Sequence, residues 1–204
     1  MLKVLLTGFE PFNNARLNPS EQLVLRIEPD AVEGAQIITA ILPVVYGEAA
    51  SNLLALVQEH NPDVVISFGQ AEGRTSITPE RFAVNLNDAN LADNKGHIRI
   101  DQPIHQGTPT AYESTLPVKE LVSALKAEGI PASLSLTAGA FVCNHIFYEL
   151  QNAFKGTNIQ SGFVHVPLMS EQAEDFPGLF TMELDVMVLA AKTLVATLVA
   201  RSQV

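Results

Sequence analysis

Cys143 is the only cysteine among 204 residues, and it lies in the run Thr137-Ala138-Gly139-Ala140-Phe141-Val142-Cys143-Asn144-His145. Apolar residues at helical spacing predict a helix from Asn144 to Phe154. Ala132 to Thr137 reads as a short strand, with Ala138 and Gly139 as the turn between them. Cys143 then falls near a helix start, where free backbone N–H groups and the positive end of the helix dipole favour a thiolate and lower its pKa from about 8.5. A lone cysteine is more often a small buried hydrophobe, so a nucleophile requires a base nearby. Of the five histidines, His60, His97, His105, His145 and His165, His145 sits two residues along the same helix and points to a different face. His165 lies in Gly162-Phe163-Val164-His165-Val166-Pro167, an apolar run that reads as a buried strand, where an imidazole needs a polar partner. The thiol is a candidate partner. A carboxylate is wanted to orient the imidazole and stabilise its charged form. Glu10, Glu72, Glu80, Asp88 and Glu149 are all candidates, and their order along the chain does not choose among them.

The elements that must hold these groups alternate. Strand-like runs recur at Lys3 to Leu6, Gln36 to Leu42, Asp63 to Phe68, Phe82 to Asn87, Ala132 to Thr137 and Gly162 to Val166, with helical patterns between most of them. Asn18-Pro19-Ser20-Glu21 predicts a helix start with Asn18 as N-cap, Pro19 in the first position and Glu21 closing a capping box. Gly47 to His60 and Pro117 to Glu128 predict two more helices, the second stopped by Gly129 and Pro131. Such alternation predicts an α/β fold: a single-domain α/β/α sandwich over residues 1–204, its mainly parallel (mixed) sheet covered by helices on both faces. In such sheets ligands bind beyond the carboxyl ends of the strands. After the first strand comes Thr7-Gly8-Phe9-Glu10-Pro11-Phe12-Asn13-Asn14, where Phe9 and Phe12 suggest a flat apolar slot or a small cluster folded under the loop. After the third comes Gly69-Gln70-Ala71-Glu72-Gly73-Arg74, where the Gln70 amide can both donate to and accept from a neutral amide or lactam.

A formal charge of −10 repels phosphate backbones and anionic lipids, so neither nucleic acid nor a membrane surface is an expected partner. The longest apolar tract, Val186 to Ala200, is interrupted by Lys192 and reads as a packed terminal helix. The first residues carry no secretory pattern, and a single cysteine suits a reducing compartment. Asp88 to Thr110 is too long and polar for an ordinary connection and reads as a functional or oligomer-contact loop. Asp88, Asn90 and Asp93 lack the glycine and terminal glutamate of a calcium loop, and no zinc or nucleotide motif occurs. Neither metal nor cofactor is expected.

Five segments, in order, resemble the pyroglutamyl peptidase I family, the pyrrolidone-carboxylate peptidases. They are Leu6 to Phe12 with Asn18-Pro19-Ser20; Gly69-Gln70-Ala71; Ile77-Thr78-Pro79-Glu80-Arg81; Thr137 to His145; and Gly162 to Pro167. The resemblance runs nearly end to end. It implies a cytoplasmic cysteine peptidase acting on peptides with N-terminal pyroglutamate, often homotetrameric. It implies Cys143 as nucleophile, His165 as base and acid, Glu80 as the group orienting His165, and a lactam pocket involving Phe9, Phe12 and Gln70. Three places depart from the family pattern: Asn13-Asn14 replaces Gly-Gly, Glu72 replaces a glycine, and Asn90 stands where an arginine is usual. Two further readings use the same residues: an amidase for another cyclic or glutamine-like substrate, and a silent binding protein of the same fold.

Overall fold

The computed structural model describes residues 1–203. The chain opens with β1 (Leu2–Phe9), α1 (Pro19–Leu25), β2 (Ala35–Leu42), α2 (Glu48–His60) and β3 (Val64–Gln70). Short strands follow: β4 (Thr78–Pro79), β5 (Phe82–Val84), β6 (Asn87–Ala89), β7 (Arg99–Gln102) and β8 (Ala111–Glu113). The remainder comprises α3 (Val118–Ala127), α4 (Val142–Ala153), β9 (Gln160–Val166), β10 (Leu168–Met169), β11 (Thr181–Met182) and α5 (Leu184–Ser202). The central sheet runs β2-β1-β3-β9-β4, parallel except for β4, which is antiparallel to β9. This is the mainly parallel, mixed α/β sheet that the alternation of elements predicts.

β3 is buried along its whole length, as expected of a parallel strand covered on both faces. Alternate residues serve two cores. Val4, Leu6, Val64, Ile66 and Val164 pack with α1, α3 and α5, whereas Leu5, Val65 and Phe163 pack with α2 and α4. Among the described residues, no helix is long and apolar enough to cross a membrane.

Asn18 caps α1 as its sequence predicts, accepting the Ser20 N–H at 3.0 Å, with Pro19 in the first turn. Glu21 closes no capping box; its carboxylate instead accepts from Gln22 Nε2 at 3.1 Å. Asn13 and Asn14 both adopt positive φ, 52° and 60°, a region asparagine enters more readily than most residues.

Two expected strands do not form as predicted. Ala132 to Thr137 makes only isolated bridges, Ala132 to Ile77 and Ser135 to Glu80. Its own hydroxyls compete for the backbone: Ser135 Oγ donates to Thr137 O at 3.1 Å, and Thr137 Oγ1 accepts from Gly139 N at 3.1 Å. The run Phe82 to Asn87 stops at Val84 because the Asn144 side chain claims its backbone, accepting from Val84 N and donating to the carbonyls of Val84 and Leu86, each at 2.9 Å. The long polar stretch after Asp88 is not wholly irregular: β6 and β7 pair as an antiparallel ladder, and β8 pairs with β5.

Candidate active site

The carboxyl ends of β1, β3 and β9 converge beneath the first turn of α4. That helix begins at Val142, two residues before the predicted start, with Phe141 in the cap position. Cys143 is therefore its second residue. Asn144, fully buried, ties this turn to β5 through the three bonds already described, and Asp88 N donates to Ala140 O at 3.0 Å just ahead of it.

Gly69 makes room for the sulfur. A Cβ built on it would lie 2.9 Å from Cys143 Sγ and 2.7 Å from Phe163 Cζ, closer than real Cβ contacts come. Across the β3–β9 ladder, Gly69 is the register partner of His165. The thiol thus lies over the strand pair that carries the imidazole, and both side chains line one open groove.

His165 Nδ1 lies 2.7 Å from Glu80 Oε1. The two are 85 residues apart in sequence; β4 brings them together by pairing Thr78 with His165, and Glu80 N then donates to Phe163 O at 2.9 Å. Glu80 is 0% exposed, and its Oε1 is shared with Arg74 NH1 at 2.9 Å. Arg74 is held by Thr78 Oγ1 at 2.6 Å and Thr137 O at 3.2 Å. Glu80 Oε2 has no hydrogen-bond partner among the described residues.

Burial lowers the basicity of His165; the Glu80 hydrogen bond and charge oppose this, and Arg74 reinforces it. Burial likewise pushes the Cys143 thiol up to about 12, assisted by the Glu80 charge, while the residue's own backbone N–H and Arg74 act weakly in the other direction. The expectation of a lowered thiol pKa is thus corrected. Although the sulfur stands at a helix start, loss of solvent outweighs the dipole. The resting pair is a neutral thiol beside a neutral imidazole.

A narrow recess, with free space of only about 10 Å³, lies on one side of Cys143, lined by Phe9, Phe12, Val44, Gln70 and Phe141. Phe9 is not exposed; it is 2% accessible and belongs to the core, so the slot and the folded-under cluster are one feature. Phe12 packs on Phe141 with ring centroids 6.1 Å apart. Gln70 is buried, and its amide is already oriented. Gln172 Nε2 donates to Gln70 Oε1 at 3.0 Å, and Gln70 Nε2 points to Glu72 Oε1 at 3.4 Å. Glu10 holds the wall from behind, accepting from Val44 N at 3.1 Å and Asn94 Nδ2 at 2.7 Å. Asp93 anchors a turn, receiving the N–H groups of Tyr46, Lys95 and His97. Asn90 is exposed between Ala89 and Leu91, which line the open groove.

Of the other candidate acids, Glu149 pairs with His105 at 2.8 Å on the far side of α4, and Asp88 is exposed. The sequence reading assigned no role to Asn144, Gly69, Arg74 or Gln172. Only Arg74 had a local signal, as the lone cation in the loop after β3.

An α/β fold carrying a thiol at a helix start, with a carboxylate-bound imidazole at the end of a neighbouring strand, defines the class of thiol-dependent hydrolases. The profile of the pyroglutamyl peptidase family matches residues 2–202, and the chain belongs to that family. A pyrrolidone-carboxylate peptidase of Vibrio vulnificus is 50% identical over 173 residues, covering 85% of this chain and 82% of its own. One of Ralstonia nicotianae is 44% identical over 205 residues, covering 100% and 95%. Among solved structures, pyroglutamyl peptidase I from Bacillus amyloliquefaciens has a TM-score of 0.94 at 41% identity, over 98% of both chains. A mutant pyrrolidone carboxyl peptidase from Pyrococcus furiosus has a TM-score of 0.93 at 38% identity, over 100% of both.

Proposed function

We propose that this chain hydrolyses the amide bond after an N-terminal pyroglutamyl residue, with Cys143 as nucleophile, His165 as general base and then acid, and Glu80 orienting His165. The observation that carries this reading is the 2.7 Å contact of Glu80 with His165 Nδ1, in a groove shared with the only thiol of the chain. With Nδ1–H donated to the carboxylate, Nε2 is left free to accept a proton. Because both partners rest neutral, the thiol proton moves to Nε2 as sulfur attacks the carbonyl. The imidazolium formed is stabilised by Glu80. It returns the proton to the departing amine, and water, deprotonated by the same nitrogen, cleaves the thioester. Backbone N–H groups at the start of α4 hold the oxyanion, each worth on the order of 3 kcal/mol.

The aromatic recess, narrow at rest with about 10 Å³ free, takes the lactam ring as its side-chain walls move apart. A pyroglutamyl group carries no ammonium, so apolar walls suit it better than an acidic anchor. Since Gln172 occupies Gln70 Oε1, it is Gln70 Nε2 that offers a hydrogen to the lactam carbonyl. The reading includes peptides with N-terminal pyroglutamate as partners, a cytoplasmic location and a homo-oligomer, a tetramer by family resemblance, which light scattering would test.

Release of a fluorescent amine from a pyroglutamyl amide by wild type and by Cys143→Ala, beside prolyl and glutaminyl amides, tests the function. Selective cleavage lost in the variant is expected. Equal or faster cleavage of the glutaminyl amide would point to the amidase reading instead.

A further inference from the structure

Two spaces meet at Cys143, and they differ. The first is the narrow aromatic recess, with free space of about 10 Å³. The second is the open groove, about 320 Å³, which shares Phe12, Gln70, Phe141 and Cys143 with the recess and adds His165, Ala138 to Ala140, Ala89, Leu91 and Glu72. If the lactam fills the closed side and the exocyclic carbonyl of the pyroglutamyl residue sits at the sulfur, the scissile nitrogen faces His165. The remainder of the peptide must then leave along the open side. Glu72 is exposed there and is the only acid or strong base lining it. Beside the thiol, the other titratable group on that wall is His165, whose basicity is lowered by burial. The nearest cation behind the site, Arg74, is taken up by Glu80 at 2.9 Å.

We infer that Glu72 sets the preference for the residue that follows pyroglutamate, favouring a cationic side chain there and disfavouring an acidic one. This rests on the pyroglutamyl-peptidase reading and extends it to the leaving side of the substrate. The carboxylate shares the groove with Leu91 and Ala89, so a lysyl or arginyl stem can pack on those two residues while its head group meets Glu72. An exposed pair of this kind changes rates only modestly and weakens with salt.

The test compares kcat/KM for pyroglutamyl-lysyl, pyroglutamyl-alanyl and pyroglutamyl-glutamyl amides at low ionic strength. Wild type is expected to favour lysyl over glutamyl by about 10-fold, falling to roughly 2-fold in 0.5 M salt. Glu72→Gln keeps an acceptor for Gln70 and removes the charge; its lysyl-to-glutamyl ratio should fall toward one. A ratio taken within each protein cancels any general loss of activity. Glu28→Gln, which removes the same charge from an exposed site outside the groove, should retain the wild-type ratio. A wild-type ratio near one, or a ratio unchanged in Glu72→Gln, overturns the inference while leaving the peptidase reading standing. No cleavage of any of the three by folded wild type overturns both.

Discussion

His165 and His145 are both buried, at 4% and 3% exposure, and burial lowers the basicity of both. They lie in very different company. His165 ends β9 with Nδ1 against the Glu80 carboxylate and shares a groove with the thiol. His145 lies one half-turn past the thiol on α4, with Nδ1 3.1 Å from the Asn87 amide oxygen and Nε2 without a partner. Tyr46 packs edge-on against its ring at 5.6 Å, and Glu149 Oε1 stands 3.8 Å from Nε2. Burial and altered basicity therefore do not identify a base. What separates the two rings is a carboxylate within hydrogen-bond distance, 2.7 Å from His165 Nδ1 against 3.8 Å from His145 Nε2, and a thiol within the same cleft. The sharpest way to break the comparison is to exchange each ring for an amide. His165→Gln is expected to lower kcat by about 10⁴-fold, the upper range for loss of a positioned base. His145→Gln should hold kcat within a few-fold while lowering the melting temperature. Comparable losses of kcat in the two folded variants would undo the assignment.

The acid is the next point of leverage. Glu80→Gln preserves shape but presents an amide to His165 and removes the charge paired with Arg74. An amide can donate to Nδ1 and so favour the wrong tautomer. The expected loss in kcat is about 10³-fold with KM little altered. Asn87→Ala, the equivalent removal beside His145, should leave kcat nearly untouched. A Glu80→Gln enzyme with near wild-type turnover would show that the imidazole is positioned by packing alone.

The thiol sharpens the contrast further. With the Cys143 thiol pushed up to about 12, the resting site holds no preformed thiolate–imidazolium pair. Alkylation by iodoacetamide should rise about ten-fold per pH unit, hence about 100-fold between pH 7 and 9, without levelling. His145→Gln should leave that profile unchanged. A plateau starting below pH 8 would show an ion pair already formed at rest.

Much of the frame is readable from periodicity. The apolar runs of β1, β2, β3 and β9 carry their own signature, and α1 announces its start through Asn18 and Pro19. The failures share a cause: a side chain distant in sequence, or a local hydroxyl, took the backbone that a strand needs. Asn144 interrupts the run after Phe82 in that way, and Ser135 and Thr137 spoil the one before Cys143. In the site, the thiol and His165 were legible as residue types. The carboxylate was not, because five acids were candidates and only the β4–β9 pairing brings one of them to Nδ1. The thiol pKa was misread in sign because a helix start is visible in sequence, whereas the burial that overrides it is produced by the β3 and β9 walls.

The smallest effect concerns stability against pH, where the two histidines should act alike. An imidazole whose folded pKa lies below its unfolded value binds its proton more readily when the chain is unfolded. Its stability contribution is therefore complete above the unfolded pKa and is lost as pH falls toward the folded one. For His145 that window runs from the ordinary 6.5 down to about 4, driven chiefly by burial and then by the charges of Arg99 and His105. Lowering the pH from 7 to 5 should cost about 2 kcal/mol through this residue. His165 is shifted in the same direction, so its contribution too is lost as pH falls below the ordinary 6.5. Asp93, held below its ordinary range by the His97 and Tyr46 backbone N–H groups despite its burial, becomes important only at lower pH. Urea titrations at pH 7 and 5 should thus show wild type weakening, with His145→Gln and His165→Gln each flattening the slope, although only one of them abolishes turnover. An unchanged slope in His145→Gln would mean that the ring accepts its proton in the folded protein, with Glu149 as the nearest carboxylate able to hold it.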